Sequence, residues 1–132
     1  MIDTAKWAPR VLTLLRIVTA LLFLEHATMK FLQFPAPISG VTYPLPAIML
    51  VAGAVELLAG ALITVGLFTR LAAFVASGEM AAAYFMAHAP QGFWPTLNMG
   101  EPAILFCFIF LYLAFAGGGA WSLDNARRSS SK

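Results

Sequence analysis

Four long apolar stretches constrain this chain more than anything else in it. They cover roughly residues 11–34, 45–68, 71–88 and 102–120, each near the ~20 residues a helix needs to cross a ~30 Å hydrocarbon core. The spacing predicts one all-α domain over residues 1–132, an integral membrane four-helix bundle. The first stretch is too long for a signal-peptide core, carries charges inside, and lacks a small-residue cleavage site. It is therefore read as a retained helix. Composition agrees: 61% of residues are hydrophobic and 11% charged, whereas a soluble domain is nearer half apolar and about a quarter charged. The net charge of +2 is too small to indicate a nucleic-acid partner, so the expected solvent and first partner is the lipid bilayer.

The breaks between the stretches carry turn chemistry. Pro35, Pro37, Gly40, Pro44 and Pro46 prevent helix in the first loop. Gly66 is placed to end the second helix and Thr69 to cap the third, which predicts a tight hairpin. Pro90, Gly92 and Pro95 interrupt the chain again, Pro102 suits a first helical turn, and Gly117–Gly119 ends the fourth helix. Lys6, Arg10, Arg70, Arg127, Arg128 and Lys132 all fall at one end of such a bundle. By the positive-inside rule both termini and the second loop are expected in the cytoplasm. Trp7 and Trp121 suit that inner interface, and Tyr43, Phe93 and Trp94 the outer one.

Ionisable groups inside a membrane are costly and so point to function. Glu25, Glu56, Glu79 and Glu101 fall one to each helix, with His26 and Lys30 on the first and His88 ending the third. These seven are the candidate ligand-binding residues. At ~1.5 Å per residue, the first three carboxyls lie roughly 12–15 Å below the outer boundary, so polarity gathers in the outer half. On helix 1, Arg16, Thr19, Phe23, His26 and Lys30 share one face, while Glu25 points about 100° away among Leu14, Leu21 and Leu32. On helix 2, Gly53, Glu56 and Gly60 form a stripe that would let another helix approach closely. Ala76, Glu79, Ala83 and Met86 make a similar stripe on helix 3.

A structural role competes with each functional one. The same groups would serve as a hydrogen-bonded network fixing helix register, at about 0.6–2 kcal/mol per bond. Arg16 reads as a snorkelling anchor to the inner interface, and Glu101 as a favourable charge at a helix N-terminus. Charge counting argues for more than structure, because four neighbouring carboxylates cannot all ionise beside one lysine in a low dielectric. Glu56 or Glu79 is the expected proton carrier. Cys107 stands alone, which excludes dithiol exchange within the chain. His26 and His88 differ in depth by about two turns, which disfavours a shared haem. No metal-ligand spacing, phosphate-cradling loop or nucleophile elbow appears, and no metal is expected.

Arg16, the run Leu22–His26, Lys30-Phe31 and Phe34-Pro35 resemble the first-helix signature of the DoxX family. Glu56 with Gly60 and Gly66 before Thr69-Arg70 continues the likeness, as do Met86 and His88 before Gly92-Phe93-Trp94. Asn98, Gly100-Glu101, Gly117–Gly119 and Trp121-Ser122-Leu123-Asp124 complete it. The motifs run in order over nearly the whole chain. Ala27 departs from the pattern, standing where the family commonly has glycine. The resemblance implies a four-helix protein of the bacterial inner membrane, tied to oxidoreductase systems that handle thiosulfate or quinone, or to oxidative-stress complexes.

The resulting expectation is a subunit of a membrane redox system, linked to a quinone or a thiol. A quinone-like ligand would sit in the outer half, hydrogen-bonded by His26 and Lys30 and exchanging protons with Glu56 and Glu79. Phe23, Tyr84 and Phe85 would line its apolar wall. Redox-complex partners and self-association are expected alongside. A non-enzymatic lipid-binding or assembly protein is the alternative, favoured if the Gly53/Gly60 stripe faces outward. Proton-coupled transport is a third reading and would need oligomers.

Overall fold

A computed structural model describes residues 3–131; Lys132 of the basic tail lies outside them. The described residues are all-α, in the order α1 (Thr4–Leu32), α2 (Ala47–Val65), α3 (Thr69–Ala83), α4 (Pro95–Asn98), α5 (Glu101–Ala116) and α6 (Leu123–Ser130). Between α3 and α4 the chain passes through a π-helical turn, Tyr84–His88, and a 3-10 turn, Ala89–Gln91. Helices α1 and α2 are long and apolar enough to cross a membrane; α5 is apolar but 16 residues long.

Local chemistry sets most boundaries. Helix α1 begins seven residues before its apolar run because Asp3 caps it, accepting from the Lys6 amide at 3.2 Å. Gly66 ends α2 with φ +71°, the left-handed geometry glycine adopts without a Cβ penalty. This cuts the second helix at Val65, short of the expected residue 68. The third apolar stretch reaches residue 88 as expected, but its α-geometry stops at Ala83. Glu101 and Pro102 start α5, and Gly117 stops it before the expected residue 120. Helix α6, capped by the Ser122 hydroxyl, lies beyond the four expected helices.

Helix α1 packs along α2, α2 on α3 and α3 on α5, while α1 and α5 meet at fewer places. Phe23, Ile63, Ala73, Ala76, Phe110 and Leu113 are fully buried between them. Phe23 sets its edge on Phe110 at 4.8 Å between ring centroids. The outer surface is as apolar as the core: Leu58, Phe74, Phe108 and Phe115 are each more than 60% exposed. Water would penalise such a surface and lipid would not. Long apolar helices with apolar outward faces mark a membrane protein.

Two sequence expectations fail at the end of the bundle that holds both termini. Arg16 does not snorkel; it is 1% exposed. Its Nη1 donates to Gly118 O at 2.5 Å, and its Nη2 to Trp121 O at 2.9 Å and Thr64 O at 3.4 Å. The Gly118 carbonyl of the glycine run after α5 converges on it with those of Thr64 and Trp121, and burying a guanidinium needs such acceptors. Nor does Thr69 cap α3. Phe68, at φ +49°, is the cap residue, and the Asp124 carboxylate accepts from the Phe68 and Thr69 amides at 2.8 and 2.9 Å. Partial burial pushes the Asp124 carboxyl up, but these amides and the Arg128 charge outweigh it and hold the group below the usual carboxylate range. Arg70 closes the opposite helix end by donating to Phe115 O and Ala114 O.

Candidate functional site

The seven candidate residues separate into a close cluster and several outliers. Lys30 occupies the last turn of α1, where the helix dipole favours a cation. Its Nζ donates to both carboxylate oxygens of Glu56 on α2, at 2.6 and 2.7 Å. The two side chains are 9% and 2% exposed. This is the one ion pair among the described residues. Gly53, one turn before Glu56, makes room for it: a Cβ there would lie 2.9 Å from the Phe31 ring and 3.0 Å from Lys30 Cδ. Gly60 is crowded in the same way, by Leu24. The small-residue stripe of α2 therefore faces α1. It is not an outward docking surface, because the bundle uses it to bring α1 and α2 together.

Glu79 on α3 joins this pair. It lies within the electrostatic reach of both Glu56 and Lys30. Its Oε2 is buried with no hydrogen-bond partner. Three helices thus contribute one ammonium and two carboxyls whose charges act on one another, and Glu56 takes two of the ammonium's three donors. The second carboxyl has no counter-ion of its own. An orphaned buried oxygen is costly unless a proton or a ligand satisfies it.

His26 stands beside this cluster on the α1–α5 seam, half-buried, with its ring edge-on to Phe106 at 5.8 Å. The other candidates are placed differently. Glu25 is exposed on α1, and Glu101 is exposed at the start of α5. His88 contacts Asn98, its Nδ1 lying 2.9 Å from Asn98 O, and stacks on Tyr84 at 6.3 Å. The apolar wall expected from Phe23, Tyr84 and Phe85 does not form as one surface. Phe23 is sealed in the core, whereas Tyr84 packs on Phe85, which is 71% exposed. Tyr84 and Phe85 open the π-helical turn that follows α3.

Asn98 organises the loop around His88 and was absent from the expected set. Fully buried, it donates from Nδ2 to Gly92 O at 2.8 Å and accepts at Oδ1 from the Gly100 amide at 2.8 Å. An amide side chain in a Gly- and Pro-rich loop is the available signal, one that Gln91 shares, since such a loop leaves backbone groups to satisfy. Cys107 is partly buried, with the Ser77 hydroxyl donating to its carbonyl at 2.7 Å.

A family model described as DoxX matches residues 11–89. A protein of Haemophilus influenzae (strain ATCC 51907 / DSM 11121 / KW20 / Rd), described as "Uncharacterized protein", is 46% identical over 132 residues, covering 95% of this chain and 96% of that one. No solved structure matches.

Proposed function

This chain belongs to the DoxX family, and from that premise we propose that it is a subunit of a membrane redox system, holding a quinone-like head group at Lys30, Glu56 and Glu79. The chain crosses the bacterial inner membrane four times in this reading, as α1, α2, α3 with its π-helical extension, and α5. Both termini face the cytoplasm. The observation that carries the site is the unpartnered Glu79 oxygen within the field of the Lys30–Glu56 pair. Reduction of a quinone takes up two electrons and two protons. A partner protein supplies the electrons, and Glu79 is suited to pass a proton because it has no cation of its own. Lys30 uses two of its three N–H donors on Glu56 and keeps the third for a carbonyl oxygen. His26 flanks the approach along the α1–α5 seam. Glu25, Glu101 and His88 stand outside this minimal site.

The test is titration of the purified protein in nanodiscs with a short-chain ubiquinone and with menaquinone, followed by tryptophan fluorescence quenching. Saturable binding that weakens at least tenfold in Glu79→Gln, with the fold intact, supports the reading. Quenching that never saturates, or that is unchanged in Glu79→Gln, counts against it. A lipid retained in native mass spectrometry, with no quinone effect, would favour the non-enzymatic lipid-binding alternative.

A further inference from the structure

The end of the bundle that holds both termini contains a cavity of about 430 Å³, bounded by the first turns of α1, the end of α5 and α6. Arg70, Arg128 and Asp124 supply its charge, and Ala8, Pro9 and Leu12 of α1 supply an apolar part of its wall. The charges do not cancel one another. Both Asp124 oxygens are occupied by amides, those of Phe68 and Thr69, and neither arginine forms an ion pair among the described residues. Arg70 spends its Nη1 on the Ala114 and Phe115 carbonyls. Its Nη2 stands beside Gly117 of the cavity lining, where a Cβ would lie 3.4 Å away. A guanidinium has five N–H donors, so both arginines keep donors in hand. Arg127, the neighbour of Arg128, is engaged elsewhere, over the Phe68 ring at 5.3 Å, and is not part of this lining. Two cations with unspent forked donors and one occupied carboxylate make a site for an oxyanion.

We propose that this cavity holds the phosphodiester head of an acidic phospholipid, with Arg70 and Arg128 donating to its oxygens and its acyl chains lying along α5. The apolar surface that meets the cavity favours a lipid over a soluble phosphate. Tyr112 lines the cavity and belongs to a stripe with Leu105, Phe108 and Phe115, all exposed on one face of α5. A free phosphate would leave that stripe without a use, whereas a lipid seated by its head lays its tails there. The charge selects among lipids. The ammonium of phosphatidylethanolamine would add a third cation beside the two arginines, and the glycerol of phosphatidylglycerol would not. The proposal also gives α6 a task, since that helix brings Arg128 to the cavity. It is independent of quinone binding, which involves the opposite end of the bundle.

The test is native mass spectrometry of the full chain released from nanodiscs made of equal parts phosphatidylethanolamine and phosphatidylglycerol. Retention of phosphatidylglycerol in preference to phosphatidylethanolamine is expected. Arg128→Gln should weaken that retention about fivefold, the share of one interfacial arginine. Arg127→Gln removes the same charge one residue away and should leave it unchanged. Ala8→Phe, at an exposed position of the wall, fills the cavity while keeping every charge. It should abolish the preference with the melting temperature preserved. Glu79→Gln should have no effect, which assigns the lipid to this end of the bundle. Equal retention of the two lipids overturns the proposal, as does equal weakening in Arg127→Gln and Arg128→Gln, which would mean a diffuse field. Retention indifferent to Ala8→Phe also overturns it. Displacement of the lipid by excess inorganic phosphate would make a soluble phosphate the occupant and overturn the lipid.

Discussion

Lys30 shows how much one side chain can determine. It neutralises Glu56, sits over Gly53 and lies within the field of Glu79. Truncating one member of a buried ion pair strands the other and costs about 3–5 kcal/mol, whereas replacing both with apolar groups is often neutral. Lys30→Met should therefore lower the thermal midpoint in detergent sharply, and Lys30→Met combined with Glu56→Met should recover most of the loss. A double variant no better than Lys30→Met alone would contradict this. Both residues stood out in the sequence by their depth in an apolar run. Their mutual pairing did not, because it depends on which helix lies beside α1 and on Gly53 letting the lysine stem cross. Glu25 and His26 are adjacent in sequence yet face a lipid surface and a helix seam respectively, a split that helical periodicity did reveal.

Elements were legible wherever a breaker or cap lay within a few residues of the boundary. Gly66 and Gly117 each stop a helix, ahead of the ends expected from the apolar stretches, and Pro102 lies in a first helical turn. The π-helical turn after Ala83 was not legible, since nothing in Tyr84–His88 excludes ordinary α-helix. The cap on α3 was equally hidden, because Asp124 is 55 residues from Thr69. That cap has a pH signature. The Asp124 carboxyl sits below its usual range, partial burial opposing and the two amides with Arg128 prevailing. A group depressed in the folded state contributes stability above its unfolded pKa of about 3.9, and that contribution is lost as pH falls through the lower folded value. Melting temperature in detergent should be nearly flat from neutral pH to about pH 4 as far as this group is concerned. Asp124→Asn should melt lower at neutral pH and lose less on acidification. Parallel acid limbs in the two proteins would exclude the cap as the cause.

At the scale of the whole molecule, the distribution of charge predicts a measurable orientation. With Cys107→Ser as background, a cysteine at Ile38 should react with an impermeant maleimide added outside spheroplasts. One at Ser129 should react only after permeabilisation. Labelling of both from outside would refute four crossings with the termini in the cytoplasm. The bundle also divides its polar work between its two ends. One end holds Lys30, Glu56 and Glu79, while the other holds Arg16 and Asp124 against backbone carbonyls and amides; each end keeps a buried polar atom without a partner, Glu79 Oε2 at the first and Arg16 Nε at the second. Sequence reasoning found the first end because charge in lipid is conspicuous. It missed the second because Arg16 needs carbonyl acceptors that no residue type advertises.

The Arg16 network also imposes an order of events on biogenesis. Its acceptors at Gly118 and Trp121 are synthesised more than a hundred residues after the arginine itself. Until the ribosome has delivered them, the first helix resides in the membrane with a guanidinium that lacks its final partners. A product cut short before Gly118 retains every long helix, yet leaves that cation with Thr64 O alone among its three carbonyl acceptors.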